Sequence, residues 1–131
     1  MFGADAVKDR LESLGYKVRE EDVLSLAFSV ESVRSTIKNE INWPDVPDGL
    51  EYVAINMAAG DFLLAKKTFA PKDLEAFDLD YAVKQVQLGD TSTTFAAGEG
   101  SQTPEQRLTG FINYLLSSGK DEFNAYRRIR W

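Results

Sequence analysis

The sequence predicts a mainly α fold: a small helical bundle around a central apolar helix, with one β-hairpin or long loop inserted before the last long helix. Residues 48–67, DGLEYVAINMAAGDFLLAKK, are helical in spacing yet apolar on more than one face. A helix wrapped this far in apolar side chains has to be covered by neighbours. Residues 23–41 repeat apolar side chains at three-to-four spacing, which is the amphipathic pattern of a helix lying on that core. From Val83 the period changes to two, and Thr103-Pro104-Glu105-Gln106 then restarts a helix.

Ala4 to Leu14 reads as a first short helix, with Ala6, Val7, Leu11 and Leu14 on one side and Gly15 ending it in a left-handed residue. Glu20, Glu21 and Asp22 place negative charge at the start of a second, longer helix. Its apolar stripe is Val23, Leu26, Ala27, Val30, Val33, Ile37 and Ile41, and its polar face of Glu31, Arg34, Ser35 and Lys38 reads as solvated. Asn42 to Gly49, NWPDVPDG, breaks the helix, because each proline biases its predecessor to extended backbone, and Trp43 anchors the turn on the core.

The central helix then carries two stripes, Leu50, Val53, Ala54, Met57 and Leu64 beside Tyr52, Ile55, Ala59, Phe62 and Leu63. Asp48 is placed to cap it, and Lys66 and Lys67 suit its C-terminal dipole. Gly60 in mid-helix costs about 1 kcal/mol against alanine, which points either to close packing or to a kink. Thr68 to Asp80 fits a short helix or a surface loop, with Pro71 as first helical residue and Leu74 and Phe77 turned inward.

In residues 83–102, Val86 and Leu88 alternate with Gln85 and Gln87, Gly89-Asp90 supplies turn chemistry, and Thr91 to Ala96 place Thr93 and Phe95 on one side. The reading is a hairpin running into a mobile Ala97-Gly98-Glu99-Gly100-Ser101 segment. In the last long helix, Thr103 is the N-cap, Pro104 the first position and Gln106 the capping-box partner. Leu108, Phe111, Ile112, Leu115 and Leu116 form its stripe, and Gly119 ends it. Residues 123–131 interleave Arg127, Arg128 and Arg130 with Tyr126, Ile129 and Trp131, a basic aromatic tail on an acidic chain.

The 131 residues fit one domain, 1–131, able to bury a core unaided. With no Cys and no His, disulfides, thiolate chemistry, the commonest general base and the commonest metal ligands are all excluded. A net charge of −6 opposes binding of the whole surface to nucleic acid or anionic lipid. No apolar run approaches the roughly 18 residues of a membrane span, and charge comes too early for a signal peptide, so residence in a cytoplasm is the expectation.

Chemistry-bearing motifs are weak. Gly98-Glu99-Gly100-Ser101 lacks the lysine of a phosphate loop and the third glycine of a dinucleotide fingerprint. Asp78, Asp80 and Asp90 lack the spaced ligands of a calcium loop and suit helix-start and turn roles better. A paired-carboxylate hydrolase stays formally open. The RRIRW segment offers the Arg and Trp side chains enriched at binding hot spots; the alternative is that it folds back on its own core. A helix-turn-helix would need a basic recognition helix, and neither early helix is basic.

The order of segments, with helices around the apolar centre, then VQLGDTSTTFAAGEG, TPEQRLTGFINYLL and YRRIRW, resembles the small head-to-tail connector (adaptor, or head-completion) proteins of tailed phages and prophages of Gram-positive bacteria. The resemblance spans nearly the whole chain. It implies a mainly helical, non-enzymatic subunit without a cofactor, assembled as a ring on the portal and presenting a surface to a neck or tail-completion protein. It also implies a host-cytoplasmic stage before the virion, with no membrane partner and no sequence-specific nucleic acid. On that footing Val86, Leu88, Asp90, Thr93 and Phe95 are expected to pack on a neighbouring subunit. Arg127, Arg128, Ile129, Arg130 and Trp131 are expected to dock on the portal or on an acidic face. The rival expectation is a small cytoplasmic helical regulator that binds a host or phage protein through the same tail.

Overall fold

In the computed structural model, which describes residues 2–75, 77–89, 103–117 and 119–127, with backbone only at 86–89 and 104, the described chain is mainly helical and contains no strand. The helices are α1 (Ala4–Ser13), α2 (Val23–Ile41), α3 (Glu51–Phe69), α4 (Leu79–Gly89) and α5 (Pro104–Ser117), with 3₁₀ turns at Glu20–Asp22, Asp48–Leu50, Pro71–Leu74 and Lys120–Ala125. As its all-round apolar sequence requires, α3 is the element the others cover: α1, α2 and α5 all pack on it. Val53, Ala54, Met57, Ala58, Ala59, Phe62 and Leu63 are all buried along its length.

Gly60 is a site of close packing. A Cβ there would stand 3.0 Å from Leu115 Cβ and 3.1 Å from Leu116 Cγ, so the missing side chain is what lets α5 seat against α3. Gly15 has φ +95°, the left-handed end expected after α1, and Asn42 closes α2 in the same region at φ 59°. At the start of α5, the Thr103 N–H donates to Gln106 Oε1 at 3.1 Å and the Gln106 N–H to Thr103 Oγ1 at 3.1 Å, the reciprocal capping box.

Several expectations are corrected. Asp48 does not cap α3; the helix is entered through the Asp48–Leu50 turn with no side-chain cap. Tyr52 and Leu64 face outward, because three packed helices do not cover every side of α3, and the Arg10 guanidinium lies 6.0 Å above the Tyr52 ring. Val23 and Ala27 are exposed, since the buried arc of α2 is narrower: Leu26, Ser29, Val30, Val33, Ile37 and Ile41. Arg34 is not merely solvated. It donates to the Phe2 carbonyl at 3.1 Å and to Asp45 at 2.9 Å, tying the start of the chain to the 42–49 turn.

The largest correction concerns Val86 and Leu88, read as strand but lying in α4. Asp78 Oδ1 accepts the Tyr81 N–H at 3.1 Å and starts the helix, and Leu79, Ala82 and Val83 continue inward at helical spacing. The alternation of Val86 and Leu88 with glutamines spans too few residues to outweigh a capped helix already propagating through good helix formers. The second half of the expected hairpin, with Asp90, Thr93 and Phe95, lies outside the described residues.

Candidate functional site

The segment entering the basic tail folds onto its own chain. Phe123 is buried, the Trp43 indole N–H donates to the Tyr126 carbonyl, and the two rings meet edge-on at 5.9 Å. A Cβ on Gly49 would collide with the Tyr126 hydroxyl, so this glycine makes room for the tyrosine. Arg127 Nη2 donates to Glu40 Oε1 at 2.6 Å, with both side chains about half exposed. Arg128, Ile129, Arg130 and Trp131 lie outside the described residues. Of the expected interface, then, Arg127 pairs with Glu40 at the end of α2, and the backbone of Val86 and Leu88 belongs to α4.

A polar cluster centred on a buried carboxylate joins three parts of the chain. Asp22 is fully buried and accepts the Tyr16 hydroxyl at 3.0 Å and the Arg19 N–H at 3.1 Å. Lys66 Nζ lies 2.5 Å from Asp22 Oδ1 and 2.7 Å from Asp73 Oδ2, and Arg19 reaches Asp73 at 3.0 Å. Burial alone would raise the Asp22 pKa, but the Lys66 ammonium, the Arg19 N–H and the Tyr16 hydroxyl outweigh it and hold the carboxyl below its usual range. Lys66 and then Arg19 lower Asp73 as well. Burial would lower Lys66, and its two carboxylates leave it raised instead. Burial, then the Asp22 carboxylate, pushes the Tyr16 hydroxyl up. Every charge here is matched inside the protein, so the cluster works as a clasp between the α1–α2 link, α3 and the 71–74 turn.

Among the described residues, apolar surface beyond the scattered Val23, Tyr52, Leu64, Phe69 and Tyr81 gathers in two features. On α2, Leu24 is 85 % and Phe28 75 % exposed. Each is two positions from the buried Leu26, about 200° round the helix, so together they form an apolar pole facing away from the core. They escaped the sequence reading although their i, i+4 spacing out of phase with the buried stripe was visible there. The second feature is a pocket of about 520 Å³ walled by Pro71, Leu74, Phe77, Leu79 and Leu108. Lys67 and Arg107 stand at its rim, paired with the exposed Glu105 (3.5 Å) and Asp80 respectively.

Asp78 caps α4 and Asp80 meets Arg107, and among the described residues no group of three or more His, Cys, Asp or Glu side chains is placed to hold a metal ion. No described helix is long and apolar enough to cross a membrane. Comparison with family models, with curated proteins and with solved structures finds no match to this chain.

Proposed function

We propose that the chain is a structural assembly subunit, a head-to-tail connector protein of a tailed phage or prophage that forms a ring on the portal and links the head to the neck or tail. The observation that carries this reading is the apolar pole of α2. A helix that buries Leu26, Val30, Val33, Ile37 and Ile41 leaves a leucine and a phenylalanine, neighbours one turn apart, largely in water beside the half-exposed Val23. Such a contiguous apolar patch on a folded domain marks a surface that another protein covers. The helical bundle matches the architecture that the sequence resemblance implies, and the resemblance supplies the partners: further copies of the chain, the portal, and a neck or tail-completion protein. The role involves no reaction and no cofactor. The subunit passes from the host cytoplasm to the head–tail junction of the virion.

Light scattering on a size-exclusion column tests the proposal, with the protein alone and mixed with the portal protein of the same genome. The expected result is a ring-sized particle or a stable complex with the portal. A chain that ignores the portal at every concentration refutes the connector reading and leaves a cytoplasmic regulator in its place.

A further inference from the structure

We infer that the Leu24–Phe28 pole of α2 docks, head to tail, in the apolar pocket between the 71–79 segment and α5 of a second copy of this chain. The inference rests on the assembly reading above and names its subunit contact. The two features are complementary: one is convex and apolar, the other concave and mostly apolar, and no described residue covers either.

They also point in different directions. On α3, Gly60 and Lys67 lie about two turns apart on one face, the face that carries α5 and the pocket rim. Lys66, one residue earlier and so rotated about 100°, holds Asp22 at the start of α2. The pole lies on the far side of α2 from that clasp, so no copy can insert its own pole in its own pocket. A contact between two different surfaces is heterologous: each docked pair still presents one unused pole and one unused pocket, and repetition closes a ring or extends a filament.

Charge supports the same occupant. The pole is flanked by the exposed acids Glu20, Glu21 and Glu31, the last two beside Arg19 and Arg34, and the pocket lining offers Lys67 and Arg107 together with the acids Glu75 and Glu105. The present carboxylate partners of those two cations, Glu105 and Asp80, are 80 % and 72 % exposed, and such surface pairs are weak enough to be exchanged for an incoming acid.

The test uses two full-length variants altered only at exposed positions. Leu24→Asp/Phe28→Asp removes the pole, and Glu75→Trp places an indole across the pocket mouth. Analytical ultracentrifugation over a concentration series is expected to show association of the natural chain, weakened at least about thirtyfold in each variant, as for the loss of a buried aromatic anchor. An equimolar mixture of the variants is expected to form a dimer and stop there, because it holds one intact pole and one intact pocket per pair. Variants that associate like the natural chain, or a mixture that stays monomeric, overturn the inference; so does a natural chain that never self-associates, free or on the portal. Portal binding is read separately. Retained portal binding with lost complementation removes this contact but not the connector reading, whereas complementation without portal binding upholds the contact and removes the connector.

Discussion

Asp22 is one of three consecutive acids before α2, and nothing within Glu20-Glu21-Asp22 marks which of them goes inside. The choice is made by Lys66, far along the chain, and by Tyr16, whose hydroxyl reaches back to the same carboxylate. Reading the acids as dipole partners of the helix was therefore the most that local sequence could support. Asp22→Asn leaves the Lys66 charge half-matched in a closed site, and is expected to destabilise the fold by about 3 kcal/mol in urea titrations at neutral pH. Gly60 was more legible, because a glycine inside so apolar a helix needed a cause, and its cause is the approach of Leu115 and Leu116. Gly60→Leu is expected to cost about 1–3 kcal/mol, as α5 is levered off α3 by side chains with no room to move. A variant as stable as the parent would show that the α3–α5 seam is loose.

Among the elements, α2 shows what periodicity can and cannot resolve. Leu24, Leu26 and Phe28 are equally apolar in sequence, yet only the middle one is buried. Leu26→Ala is expected to lose about 2–5 kcal/mol of stability, whereas Leu24→Ala should stay within about 0.5 kcal/mol of the parent in the same denaturation series. Equal losses at both positions would mean that α2 is rotated from the orientation described. For α4 the difficulty was length. The period-two signal around Val86 covered one turn of helix, and the decisive feature, the Asp78 cap on the Tyr81 amide, lay upstream of the stretch being read. The local start signal of α5, Thr103 with Gln106, held, whereas the equally local one at Asp48 did not, because α3 is entered through a 3₁₀ turn.

At the level of the whole molecule, the clasp sets the response to pH. Asp22 and Asp73 have lowered pKa values in the folded state, so the unfolded chain takes up protons first as acid is added. Their contribution is whole above the unfolded carboxyl range near about 4 and drains away below it. Lys66 is shifted the other way, up, so its share is whole below about 10 and is lost only as pH rises through the folded value. Unfolding free energy is expected to be flat across the neutral range and to fall on the acid side, and Asp22→Asn should flatten that acid fall. An unchanged acid limb in the variant would place the acid sensitivity elsewhere. The helical class and the central position of α3 were legible because they follow from composition along single segments. The α2 pole and the pocket were not, because a surface exists only after distant segments meet.

The seat of α5 on Gly60 also orders events during synthesis. A nascent chain that has just completed Phe69 carries an apolar helix whose last covering strip, Leu115 and Leu116, is still untranslated. At bacterial or cellular elongation rates that gap lasts on the order of seconds, far longer than a helix needs to form. Until Leu115 and Leu116 arrive, the side of α3 around Gly60 lacks its native cover.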